Sequence, residues 1–306
     1  MATLPTAIVF GGSGLTGSSI ANALLERKEF QVKVPVRPSS LDKPSTVDLR
    51  QKGAIIIPFD LVGSTANELQ ELITGADTVI SAIVWEQLHQ QYKMVDVAKK
   101  VGVKRFVPCD FGTAGRRGVR KLHDLKLDIR DYVKASGIGY TFIDAGFWYQ
   151  LLLMCTNEKQ TSYPWLYEDS RYVWNGGLVK TAGIDLRDVG QFSARIVADP
   201  RTLNQYVFAW GLEVTQQELV KYARKYGDPN VEIFPKSTDD LRSFIAGAED
   251  MRLVYCHYQH SMWILGENTI EKAKLPEFGG ALDARELYPD MKIRPIGDYA
   301  REFYKK

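Results

Sequence analysis

The run Gly11-Gly12-Ser13-Gly14-Leu15-Thr16-Gly17 follows directly on the apolar segment Thr6-Ala7-Ile8-Val9-Phe10. Behind it Ile20, Ala21, Leu24 and Leu25 recur at helical spacing, so the glycines stand between a buried strand and the start of a helix. That order makes an anion site. Main-chain N–H groups at a helix start point outward, and the helix dipole favours negative charge. Gly12 is expected to make the tight turn, Gly14 to let the backbone approach a diphosphate, and Gly17 to let helix and strand pack closely. The chemistry to expect here is dinucleotide binding.

The residues after the second strand select the dinucleotide. A carboxylate there accepts hydrogen bonds from the ribose hydroxyls, whereas a 2′-phosphate repels it and needs cations. The chain reads Val36-Arg37-Pro38-Ser39-Ser40-Leu41-Asp42-Lys43. Arg37 stands where the acid would be, with Ser39 and Lys43 close behind, and a guanidinium grips a phosphate through two parallel bonds. The expectation is NADP(H). Ser81, at the end of the fourth strand, and Gly146 and Phe147, beyond the sixth, complete the expected cofactor contacts, with Lys126 shared between cofactor and chemistry.

Many short-chain dehydrogenases carry a Tyr and a Lys four residues apart on one helix. Here that helix reads Leu122-His123-Asp124-Leu125-Lys126, and Leu122 fills the tyrosine position. Leu122, Leu125, Ile129 and Val133 read as its apolar stripe, with Lys126 at the edge. A lysine so placed can donate a proton or stabilise an oxyanion. By spacing alone the commoner account is a lysine snorkelling from an amphipathic face. His123, one position round the helix, is the competing acid. Arg116, Arg117, Arg120 and Lys121 make a basic run in the preceding glycine-bearing loop, expected to be solvated.

The elements that must position these groups alternate. Strands are expected over Gln31–Val36, Ala54–Phe59, Thr78–Ala82, Arg105–Pro108 and Tyr140–Ile143, with helices near 69–73, 92–101 and 122–135 between them. Six strands with helical crossovers indicate an α/β, Rossmann-type doubly wound parallel sheet. Beyond Gly146 the chain is irregular and rich in large aromatics, which points to a smaller α-rich substrate domain. The expected division is 1–155 for the NADP-binding domain, with 180–212 returning to it, and 156–179 with 213–306 for the substrate domain. Trp148, Tyr149, Trp165, Trp174 and Trp263, with His123, are the candidate substrate contacts.

The bulk numbers limit the alternatives. The 306 residues carry a formal net charge of +2, which gives no reason to expect nucleic-acid binding. Three scattered cysteines suggest reduced thiols rather than a disulfide frame, and no Cys/His spacing suggests a metal site. Neither a secretory signal nor an apolar run long enough to span a membrane is read, so the expected location is cytoplasmic, as a monomer or homodimer.

At Val9–Gly17, Val36-Arg37, Lys104–Gly112 and Gly137–Phe142 the chain resembles the NmrA-like, isoflavone-reductase-like branch of the atypical short-chain dehydrogenases. Thr181–Gly190 and Asp199–Leu203 fit as well. The resemblance covers about the first 210 residues well. It implies a lysine in place of the tyrosine acid, here Lys126, and reduction of conjugated, often phenolic substrates with NADPH. The segment Thr113–Gly118 and Asp144–Trp148 depart from the plant enzymes, and the style of the matching segments is fungal. The leading expectation is therefore an NADPH-dependent reductase of an aromatic or conjugated small molecule. The alternatives are an NADP(H)-binding redox sensor acting through a protein partner, and an isomerase that recycles bound NADP.

Overall fold

A computed structural model describes residues 4–305. In chain order the elements are β1 (Thr6–Phe10), α1 (Leu15–Arg27), β2 (Gln31–Val36), α2 (Pro44–Gln51), β3 (Ile55–Pro58), α3 (Ala66–Ile73), β4 (Thr78–Ser81) and α4 (Gln90–Lys100). Then come β5 (Arg105–Val107), α5 (Lys121–Ser136), β6 (Thr141–Ala145), β7 (Phe147–Trp148), α6 (Tyr149–Leu152), α7 (Pro164–Asp169), β8 (Tyr172–Trp174) and β9 (Lys180–Ile184). The remainder holds α8 (Leu186–Ala198), β10 (Gln205–Ala209), β11 (Leu212–Thr215), α9 (Gln216–Tyr226), β12 (Phe234–Lys236), α10 (Thr238–Gly247) and α11 (Asp250–Gln259). A π-helical turn (His260–Ile264), α12 (Ile270–Ala273), β13 (Leu282–Asp283), α13 (Ala284–Leu287) and α14 (Ile296–Phe303) complete it.

Two compact units form. The first comprises residues 1–111, 125–144 and 186–207, the second 112–124, 145–185 and 208–306. The expected boundary at 155 thus falls at 144, and residues 112–124, 180–185 and 208–212 group with the second unit. The second unit is as long as the first rather than smaller.

The first unit is built on a parallel sheet in the order β3-β2-β1-β4-β5. Its centre, β1, pairs Ala7 with Val32 on one side and with Thr78 on the other. Ala7, Ile8 and Val9 are fully buried, as a strand covered on both faces requires. The expected sixth strand joins β5 only through one parallel bridge, Phe106 with Tyr140. The main-chain N–H and C=O of Tyr140 are taken by Asn204, and Thr141 Oγ1 donates to the Thr202 carbonyl. β6 accordingly lies beside β10 instead. α8 returns to this unit against α1, where Ser19 Oγ donates to the Leu186 carbonyl at 2.7 Å. A Cβ on Gly190 would stand 2.3 Å from Ser19, so only glycine allows that approach.

The second unit holds a small sheet ordered β11-β9-β7 and a parallel pair of β8 with β12. Its core gathers Phe147, Tyr149, Trp174, Leu219, Met262, Trp263 and Phe303. α9 begins on a capping box in which Thr215 and Glu218 exchange hydrogen bonds. Among the described residues no helix is long and apolar enough to cross a membrane.

Candidate functional site

The glycine turn closes between β1 and α1. Gly11 carries the positive φ, +74°, and its Cβ would meet the Ala82 carbonyl at 2.2 Å. The tight turn is therefore made at Gly11 and not, as expected, at Gly12. Gly12 is required for a different reason: its Cβ would stand 2.4 Å from Val34 Cγ1 in the neighbouring strand. Gly14 N–H donates to the Gly11 carbonyl at 2.9 Å, and a Cβ on Gly17 would meet that same carbonyl at 2.2 Å. Gly14 caps α1 without a side-chain hydrogen bond, so no side chain covers the N–H groups of its first turn. Leu15 is exposed just beyond, with Ser13 and Thr16 half-buried beside it.

Arg37 follows β2 as an exposed residue, and its carbonyl accepts from Ser40 N–H. Ser39 and Lys43 are exposed on the same loop. Ser45 was not foreseen: its Oγ donates to the Ser13 carbonyl at 2.9 Å, joining this loop to the glycine turn. Ser81 pairs in register with Phe10, is fully buried, and its Oγ has no hydrogen-bond partner. A close-packed glycine cradle, an orphaned hydroxyl at the neighbouring strand end and exposed cations after β2 fit a phosphorylated dinucleotide.

α5 carries the lysine expected at the site. The expected apolar stripe is only half realised: Ile129 and Val133 are buried, but Leu125 is 53% exposed. The inward position is taken instead by Arg130, buried to 5% exposure and held in a charged cluster. Its Nε donates to Asp110 Oδ2 at 3.0 Å, and its Nη2 lies 2.8 Å from Asp144 Oδ2 on β6. Tyr206 O–H on β10 donates to the same Asp144 oxygen at 2.8 Å, and the guanidinium lies over the Phe142 and Tyr206 rings. One turn before Arg130, half-buried Lys126 donates from Nζ to the main-chain carbonyl of Asp110 at 2.5 Å. Burial pushes the Asp110 carboxyl up to about 7 against the pull of Arg130 and Lys126, with Asp144 adding to the rise. Phe111, the next residue, holds a φ of +40°, a strained conformation for a residue with a side chain. Asp110, Arg130, Asp144 and Tyr206 escaped the sequence reading; the spacing of Arg130 four residues after Lys126 was the available signal.

His123 is buried, and its Nε2–H donates to the Gly115 carbonyl at 2.8 Å. Arg120 is not the solvated loop cation expected. It is buried, donates to Thr113 Oγ1 and to the carbonyls of Thr113 and Ala114, and lies over the Tyr258 ring. Arg116, half-exposed, pairs with buried Glu267 at 2.9 Å. Gly146 donates its N–H to the Ala209 carbonyl, and Phe147 packs against Tyr258.

The aromatic candidates divide by environment. Tyr149, Trp174 and Trp263 are core residues, and Trp174 Nε1–H donates to Gln259. Trp148 and Trp165 are half-buried, the latter packed between Tyr163 and Tyr255. Phe147, Tyr255, Gln259 and Trp263 line a partly open pocket of ≈ 10 Å³, room for one water at most. In this conformation the second unit's aromatics pack one another.

Comparisons place this geometry among known proteins. The model of the NmrA-like family matches residues 5–300. Asnovolin J 5′,6′-dehydrogenase of Aspergillus novofumigatus is 33% identical, over 98% of this chain and 95% of its own length. An isoflavone reductase-like protein of Olea europaea is 28% identical, over 99% of this chain and 100% of its own. The fold matches the leucoanthocyanidin reductase–NADPH complex of Vitis vinifera with a TM-score of 0.81 at 22% identity, covering 98% of this chain and 100% of the other.

Proposed function

The chain belongs to the NmrA-like family and is an oxidoreductase, and from that premise we propose that it is an NADPH-dependent reductase of aromatic or conjugated small molecules. The observation that carries the reading is Lys126, set half-buried on a fixed carbonyl one helical turn after Leu122, which fills the tyrosine position.

Gly11–Gly17 receive the diphosphate on the first-turn N–H groups of α1. Arg37, Ser39 and Lys43 take the 2′-phosphate, and Ser81, Gly146 and Phe147 line the remainder. The bound nicotinamide supplies a hydride. Lys126 does the complementary work: its ammonium stabilises the oxygen on which negative charge gathers and delivers a proton from Nζ. His123 and the half-buried Trp148 and Trp165 contact the substrate, while Tyr149, Trp174 and Trp263 support them from the core. The relatives' names support an aromatic substrate: they include phenylcoumaran benzylic ether and pinoresinol reductases.

The test is a screen of NADPH oxidation, and of NADP⁺ reduction in the reverse direction, over phenolic ethers, isoflavones, aryl aldehydes and enones. Lys126→Ala should keep NADPH affinity and lower turnover at least about a hundredfold. Tight NADP⁺ and NADPH binding with no turnover of any acceptor would favour the redox-sensor reading instead.

A further inference from the structure

We propose that Asp110 is the positioning residue for Lys126, fixing the ammonium with its main-chain carbonyl and setting the charge beside it with a carboxylate gripped by Arg130. This rests on the reading of Lys126 as the proton-bearing group, and it adds a residue whose role the glycine turn and the lysine do not imply.

One residue serves both cations of α5 through different oxygens. Its carbonyl accepts from Lys126 Nζ, and its Oδ2 accepts from Arg130 Nε. The carbonyl is not free to turn away. Asp110 N–H is donated to the Pro108 carbonyl, Phe111 N–H to the Ile143 carbonyl, and Phe111 sits at φ +40°. A strained backbone persists only where its surroundings over-determine it, and here the strain directs one acceptor at the lysine. The carboxylate is fixed from several sides: Arg130 and Lys126 face it from α5, Asp144 from β6, and Cys109 precedes it in the chain. Tyr206 on β10 holds Asp144 in turn. Arg130 is thus shared between two carboxylates, so neither is fully neutralised. The charge on Asp110 changes near neutral pH, where it acts on Lys126.

The experiment uses the whole chain without cofactor. Protein carrying ¹³Cε-lysine is titrated by NMR, with the Lys126 resonance assigned from Lys126→Arg. The wild-type resonance should show an inflection near pH 7 in addition to the lysine's own titration, and Asp110→Asn, which keeps the main-chain carbonyl, should lose it. In the same variant Lys126, relieved of a neighbouring carboxylate, should become about threefold more reactive toward acetic anhydride at pH 8. A wild-type Lys126 resonance without the neutral inflection, or an unaltered acetylation profile in a folded Asp110→Asn, overturns the proposal. If Asp110→Asn does not fold, Asp110→Glu takes its place: it keeps the carboxylate and the main-chain carbonyl, and its Lys126 inflection should move along the pH axis, whereas an unmoved inflection overturns the proposal. Unimpaired turnover by Lys126→Ala would overturn the catalytic reading, and it leaves the titration result standing.

Discussion

A Cβ on Gly12 would stand 2.4 Å from Val34 Cγ1, whereas a Cβ on Gly17 would stand 2.2 Å from the Gly11 carbonyl. Both glycines belong to the same motif, but one is crowded by a side chain and the other by backbone. Val34 is a stiff, fully buried β-branched residue, so Gly12→Ala forces the strand to shift. The cost should be about 1–3 kcal/mol, recovered in part by adding Val34→Ala, which opens the space. Gly17→Ala should be at least as costly, and no effect of Val34→Ala should reach it. Denaturant unfolding of the wild type, the three single variants and the two doubles checks this; equal rescue of both glycines would contradict the geometry.

Arg37 is exposed just after β2, in a loop that leads into α2, whose first turn is tied to the glycine turn by the Ser45–Ser13 hydrogen bond. Arg37→Asp should lower NADPH affinity at least about tenfold and leave NADH affinity equal or better, because a carboxylate there repels the 2′-phosphate and accepts from a ribose hydroxyl. Equilibrium binding of the two reduced cofactors, followed by fluorescence, measures the ratio. An unchanged ratio would remove Arg37 from the cofactor assignment.

The first five strands were legible as short runs rich in Val and Ile; β1 and β4 are buried almost throughout, while the edge strand β3 is partly exposed. The sixth was misplaced because its pairing is decided by Asn204 and Thr202, more than sixty residues away. The inner face of α5 was misread for a related reason. Hydrophobic periodicity finds apolar stripes, and Arg130 occupies an inward position that a leucine would otherwise fill. Arg105 behaves alike: it is buried at the start of β5, donating to Thr141, Thr202 and the Ile196 carbonyl. Buried cations satisfied by distant partners leave no local pattern. The glycine turn was legible because its residues are adjacent in sequence, whereas Lys126 was singled out by the family resemblance, its helical spacing alone fitting a snorkelling side chain as well.

Asp169 and Arg252 form the corresponding ionic anchor of the second unit. Arg252 donates to both carboxylate oxygens of buried Asp169, at 2.8 and 2.9 Å. Burial nevertheless raises the Asp169 pKa, so removing the arginine leaves a carboxylate in an apolar surrounding. Arg252→Met should cost about 2 kcal/mol at pH 8, discounted from the value for a fully buried pair because Arg252 is 40% exposed. The loss should shrink at pH 5, where protonating Asp169 relieves it. Unfolding at the two pH values tests the difference, and a pH-independent loss would assign it to packing of the arginine stem instead.

Asp110 has a consequence for stability that does not depend on any ligand. Its carboxyl rises from an ordinary 3.8 to about 7 on folding, so between these values the folded chain holds a proton that the unfolded chain has released. Stability then falls as pH rises through that window, since the slope follows the protons bound by the unfolded minus the folded state. Asp110→Asn cannot titrate. Its stability relative to the wild type should therefore improve as pH goes from 4 to 7, with a slope approaching but not exceeding about 1.4 kcal/mol per pH unit. The ion pair with Arg130 already enters through the folded-state value of Asp110, so the slope follows only the difference in protons held by the two states. Paired urea unfolding curves at half-unit intervals give the quantity directly. A difference that stays flat, or that moves against the variant as pH rises, would mean that Arg130 holds Asp110 ionised across the whole range.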